Sequence, residues 1–140
     1  MSLAPKNNVV VATEVINKER LSLMPRRFPG CFIVVEKTIY QVMDRICPAY
    51  AGGYWHFYSL SNGGFYMALE GESELDVVVP FGNGFADKLS REAASIVACL
   101  MAYCFLAEKY PSGLFADHYT WLMEYVYTHP EASKIRLAID

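Results

Sequence analysis

Gly52-Gly53-Tyr54-Trp55-His56-Phe57-Tyr58-Ser59-Leu60-Ser61-Asn62-Gly63-Gly64-Phe65-Tyr66-Met67-Ala68-Leu69 holds two aromatic runs either side of Asn62-Gly63. Asn-Gly between β-prone runs is a strong short-range hairpin signal, because a type I′ turn needs positive φ at both central residues. A two-residue loop sets the register. Leu60 then faces Phe65, Tyr58 faces Met67 and His56 faces Leu69. Between Tyr54 and Leu69 there is no Asp, Glu, Lys or Arg. Such a ribbon is covered on both faces, or keeps one face for a partner.

Outward from the hairpin, Gly71-Glu72-Ser73-Glu74 reads as a turn. Leu75–Phe81 reads as a third strand, with Leu75, Val77, Val79 and Phe81 on one face, which gives an antiparallel meander. On the N-terminal side, Phe32, Val35, Ile39, Val42, Met43 and Ile46 recur at three-and-four spacing, so 32–47 is an amphipathic helix stopped by Pro48. Glu19 to Gly30, with Pro25, Pro29 and Gly30, reads as an irregular connection, and 9–16 as a short β-branched strand. Ser90 is an N-cap with Glu92 in the first turn. The helix behind it, 91–109, is apolar nearly all round and is expected at the centre of the core. Pro111-Ser112-Gly113 breaks it. A helix over 114–127 follows, and His129-Pro130-Glu131 opens a last one. The expected fold is α+β: a small antiparallel β-meander of about three strands packed with about four α-helices. It forms one domain over 9–140 behind a flexible tail at 1–8.

The chain has 140 residues, the size of one domain, and its apolar fraction of 54% exceeds the roughly 45–50% of soluble domains. Net charge is −3, with seven Lys/Arg against four Asp/Glu up to Ala51 and five against eleven beyond it. That polarity is too weak for a nucleic-acid face, or for mimicry of a phosphate backbone with about one charge per 1.7 Å. Cys31, Cys47, Cys99 and Cys104 show no CxxC spacing. They read as buried reduced thiols, which favours a cytoplasmic setting. The longest uncharged apolar stretch, Ala93–Ala107, is shorter than the roughly 20 residues that span a bilayer, and no signal-type segment opens the chain.

The residues exclude the common enzyme signatures. His56, His118 and His129 form no HExxH or Cys–His pattern, and read as packed, helix-face and helix-boundary residues. The glycines match neither a P-loop nor GxGxxG, and GxSxG is absent. No catalytic, metal or cofactor site is expected. Two groups remain as candidate partner-binding residues. Tyr54, Trp55, Tyr58 and Tyr66 form an aromatic set that serves core packing, a protein hot spot or a stacking platform. Glu70, Glu72, Glu74 and Asp76 form a one-signed acidic run, shared by one face if the strand extends that far, and otherwise a solvated turn. Asp140 is a weaker candidate at the C-terminal end.

Several blocks resemble the ArdB/KlcA antirestriction family: Glu19 to Phe28, Met43-Asp44-Arg45-Ile46-Cys47, the long Gly52–Ala68 block, His129-Pro130-Glu131-Ala132-Ser133 and Ala138-Ile139-Asp140. The resemblance covers nearly the whole chain. It implies a bacterial protein of plasmids and mobile elements that relieves type I restriction–modification of incoming DNA. It implies a partner in the type I restriction endonuclease complex or an associated host factor, with no stable nucleic-acid binding and no membrane. Two alternatives stand beside it: a cryptic enzyme built around His56, and a DNA-binding modulator using Lys18, Arg20, Arg26 and Arg27.

Overall fold

The structure, a computed structural model, describes residues 9–140, so the tail expected at 1–8 lies outside the described residues. In chain order the elements are β1 (Ala12–Val15), α1 (Asn17–Arg27), α2 (Phe32–Ile46), β2 (Trp55–Leu60), β3 (Phe65–Leu69), β4 (Leu75–Val78), β5 (Ala86–Leu89), α3 (Arg91–Lys109), α4 (Leu114–Val126) and α5 (Ala132–Ile139). The α+β class stands. A three-stranded antiparallel sheet runs β1-β2-β3, and β4-β5 is a separate antiparallel hairpin.

The segment expected to be irregular is mostly helical, as α1, with Pro25 inside it. Pro25 lies in the last turn, where its missing N–H removes a single bond, and Phe28 N–H still closes the helix on Met24 O at 2.8 Å. Burial of Leu23 and Met24 outweighs that loss.

The hairpin is shifted by one residue from the expected register. Ser59 pairs with Phe65, Tyr58 with Tyr66 and Phe57 with Met67. Leu60 and Gly64 close a three-residue loop through Leu60 N–H to Gly64 O and Gly63 N–H to Leu60 O, both 3.0 Å. Only Gly63 of the loop has positive φ, at 105°. This is the loop in which a type I turn is followed by one left-handed residue. Asn62 stays out of the left-handed region, and its side chain bridges the turn to α4. It donates to Trp121 O at 2.9 Å and Glu124 Oε1 at 2.8 Å, and its Oδ1 accepts from Gly64 N–H.

Leu75–Phe81 does not join the meander. The outer edge of β3 is already occupied by α3, which satisfies it with side chains one turn apart. Ser95 Oγ accepts from Leu69 N–H at 2.9 Å, the Cys99 thiol faces Met67 O at 3.6 Å, and the Tyr103 hydroxyl donates to Phe65 O at 2.5 Å. β4 therefore pairs with β5, a strand the sequence hid because Ala86, Asp87 and Lys88 are all exposed. Ser95→Ala leaves the Leu69 N–H buried without an acceptor, and we expect a loss of about 1–3 kcal/mol in urea unfolding. A loss indistinguishable from zero would mean that this edge bond contributes nothing.

Helix α3 occupies the centre. Every residue from Ala93 to Tyr103 is buried, and Ser90 caps it by accepting from Ala93 N–H at 3.0 Å. Among the cysteines, Cys47 and Cys99 are buried as expected. Cys31 is half-buried and Cys104 is exposed, because it lies on the side of α3 that faces out.

Candidate functional site

The aromatic candidates separate by burial. Trp55 and Tyr66 are 3% and 0% exposed, so both are core residues and neither reaches a partner from the surface, a correction to their place in the contact set. Tyr54, just ahead of β2, is 53% exposed. Its outward position is braced by the guanidinium of Arg20, which lies 4.8 Å from its ring centre and 3.8 Å from that of Phe57. Tyr58 is half-buried and stacks on Tyr66 at 4.8 Å, which stacks in turn on Tyr125 at 5.5 Å. The one-residue register shift is what sets Tyr58 opposite Tyr66.

His56 lies on the same sheet face as Tyr58. Its Nδ1–H donates to Glu14 Oε2 at 2.7 Å, and its Nε2 lies 3.7 Å from Glu70 Oε1. Both ring nitrogens thus face carboxylates, one from β1 and one from the end of β3. The acidic run does not share a face, because the strand stops at Leu69. Glu70, Glu72 and Glu74 are exposed on a loop held from behind by Arg91, whose guanidinium donates to Ser73 O, Ser73 Oγ and Glu70 O at 3.0, 3.0 and 3.3 Å. Asp76 is on β4, paired with Lys88 at 2.8 Å. Asp140 is exposed after α5 and lines a different hollow.

Behind the tyrosine stack is a cluster missed in the sequence. Glu92 accepts from Tyr66 Oη at 2.6 Å and from His129 Nε2–H at 2.9 Å. His129 Nδ1 accepts from Glu131 N–H at 3.0 Å, so both ring nitrogens are used. Glu131 in turn accepts from the amide and the hydroxyl of Ser90. The hydrogen bond from His129, then that from Tyr66, hold the Glu92 carboxyl below its usual range against the opposing effect of burial. Burial, followed by the bond to Glu92, pushes the Tyr66 phenol far up. The arrangement fixes the tyrosine stack to the start of α3.

Of the basic residues in the DNA-binding alternative, Arg20 is spent on Tyr54 and Phe57, and Arg27 donates to Ser59 Oγ at 2.8 Å. Among the described residues, no group of three or more His, Cys, Asp or Glu is placed to hold a metal ion. No helix there is long and apolar enough to cross a membrane.

A sequence profile described as "Antirestriction protein" matches residues 48–140. The chain belongs to the antirestriction protein family. It is 42% identical over 138 residues to the antirestriction protein KlcA of Escherichia coli, covering 94% of each chain. A second KlcA of the same species is 39% identical over 136 residues, covering 94% of this chain and 95% of the relative. A solved structure of this group superposes with a TM-score of 0.87 at 39% identity, covering 100% of this chain and 99% of that one. Its KlcA and ArdB proteins are described as showing a novel fold, and antirestriction activity against type I DNA restriction systems in vivo but not in vitro.

For an antirestriction protein, the surface that remains after burial is subtracted is compact in chemistry. Tyr54 and part of Tyr58 supply aromatic area beside Glu14, His56 and Glu70, with Glu72 and Glu74 on the adjoining loop. Glu14 was missed because it lies 42 residues from His56 and only the β1–β2 pairing joins them. His129 lies between α4 and α5, the helix boundary expected, and its bond to Glu92 was missed because Glu92 lies on α3.

Proposed function

We infer that this chain relieves type I restriction of incoming DNA in the bacterial cytoplasm by contacting the restriction complex, or a host factor it depends on, without catalysis. The observation that carries this is the whole-length likeness to KlcA. The net charge of −3 supports contact other than DNA mimicry. Activity in vivo but not in vitro in the KlcA and ArdB proteins supports dependence on a cellular component. Non-catalytic action is supported by His129, whose two ring nitrogens are both hydrogen-bonded, to Glu92 and to the Glu131 amide.

The contact surface proposed is Tyr54, Tyr58, Glu70, Glu72 and Glu74, with Asp76 and Asp140 as outlying acids and Trp55 and Tyr66 as internal supports. A half-exposed tyrosine offers large apolar area with a polar tip, the composition of an interface anchor. Plating of unmodified phage on cells with a type I system tests both levels. Expression of the chain should raise plating by at least about tenfold, and Tyr54→Ala combined with Glu72→Ala and Glu74→Ala should reduce that gain by about tenfold. Full protection by the folded triple variant removes the surface assignment. No protection by the unaltered, folded chain removes the functional one.

A further inference from the structure

A cavity of about 180 Å³ opens on the side of α3 that carries Cys104. Leu100 and Met101 of α3 line it with Val79 and Phe81 of the β4–β5 connection, Tyr119 of α4 and Ile139 of α5. Leu100 and Val79 are fully buried, whereas Phe81, Cys104 and Asp140 are exposed, so the cavity has apolar walls and a mouth. A dry apolar cavity of roughly 150 Å³ accommodates a benzene ring. Phe81 and Tyr119 are aromatic lining residues, and Met101 adds a flexible thioether of the kind that packs against rings.

The mouth is polarised. Asp140 is exposed and forms no ion pair among the described residues. Two cations flank this end of the molecule, each held against a ring: the Arg45 guanidinium lies 4.4 Å from the centre of the Phe81 ring at the rim of the cavity, and that of Arg136, which shares a neighbouring hollow with Asp140, lies 5.5 Å from the centre of the Tyr127 ring.

We propose that this cavity binds a single aromatic ring carrying a cationic arm, with the ring against Leu100, Met101 and Phe81 and the ammonium or guanidinium at Asp140. Two sources supply that chemistry: a free arylalkylamine, or an aromatic side chain next to Lys or Arg on a partner chain. Asp140, an outlying acid of the surface proposed above, is the one residue the two share, and the site does not depend on the antirestriction reading.

The test is a titration of the full chain, labelled at its Met, Leu and Ile methyl groups, with 2-phenylethylamine, benzyl alcohol and a short Phe-Lys peptide, followed by NMR. Saturable shifts at Met101, Leu100 and Ile139 are expected, with a Kd on the order of 1 mM for the amine. Cys104→Trp, at an exposed position, should fill the mouth and abolish them, and Ile139→Phe serves as a second filling variant. Asp140→Asn should weaken the amine by up to about fivefold and leave benzyl alcohol unchanged. Tighter binding of the peptide than of the amine assigns the ring to a partner protein, and the reverse assigns it to a small molecule. Absence of shifts at these methyls, or shifts that survive both filling variants, overturns the site. Equal weakening of amine and alcohol by Asp140→Asn overturns the role of the charge.

Discussion

Replacing Phe28 by Ala should cost about 3–5 kcal/mol in urea unfolding, a range set by full burial and the inability of a rigid surround to collapse. Phe28 is 0% exposed and sits at the end of α1. Its ring meets Phe65 of β3 edge-on at 5.8 Å, Tyr103 of α3 at 5.9 Å, Phe115 of α4 at 6.3 Å and His118 of α4 at 4.2 Å. One side chain thus ties the end of α1 to the sheet and to two further helices, and truncation forfeits contacts with four rings. Phe28→Leu should cost distinctly less, since most of the volume remains. A loss under about 1 kcal/mol for the Ala variant would mean that the surrounding helices close the gap, which near-native packing density opposes.

The second large effect is on pH. Burial pushes the His118 imidazole down from 6.5 to about 4. Its Nε2–H donates to Arg27 O at 3.1 Å, while its buried Nδ1 has no partner among the described residues. A proton on Nδ1 would therefore meet no acceptor. The folded value lies below the unfolded one, so between about pH 6.5 and pH 4 the unfolded chain binds a proton that the folded chain refuses. Stability from this residue is complete above that window and falls as pH drops through it, by about 3 kcal/mol at pH 4. Urea titrations from pH 7 to pH 4 measure it. His118→Gln retains a donor for Arg27 O but cannot titrate, so the slope in that window should diminish by one proton. Identical slopes in the two proteins would show that His118 is not the source.

The long helices were legible because each carries its own boundary. Ser90 announces α3, and the three-and-four apolar spacing announces α2 up to Pro48. What escaped the sequence depends on partners far along the chain. Asn62-Gly63 marks a hairpin correctly, but the choice between a two- and a three-residue loop rests on Asn62 reaching Trp121 and Glu124. Pro25 suggested a break because local propensity speaks against a helix there, and burial of Leu23 and Met24 overrides it. In the candidate site, aromatic composition identified the region around β2, but the division into exposed Tyr54 and buried Trp55 and Tyr66 follows from packing. Ser95, Cys99 and Tyr103 looked like ordinary core residues, since a side chain that bonds to a distant backbone group leaves no local periodic trace.

That row of three has a consequence for how copies of this chain meet at high concentration. Sheets that aggregate without limit need two available edges, so that each added molecule presents a fresh template to the next. Here α3 closes the β3 side, and among the described residues β1 borders the three-stranded sheet on the other. Two molecules that met through β1 would each turn a sealed side outward, and growth would end with the pair. The helix that fills the core is also a terminator of polymerisation, and weakening its grip on β3, as in Ser95→Ala, should be felt as turbidity in concentrated samples as well as in lost stability.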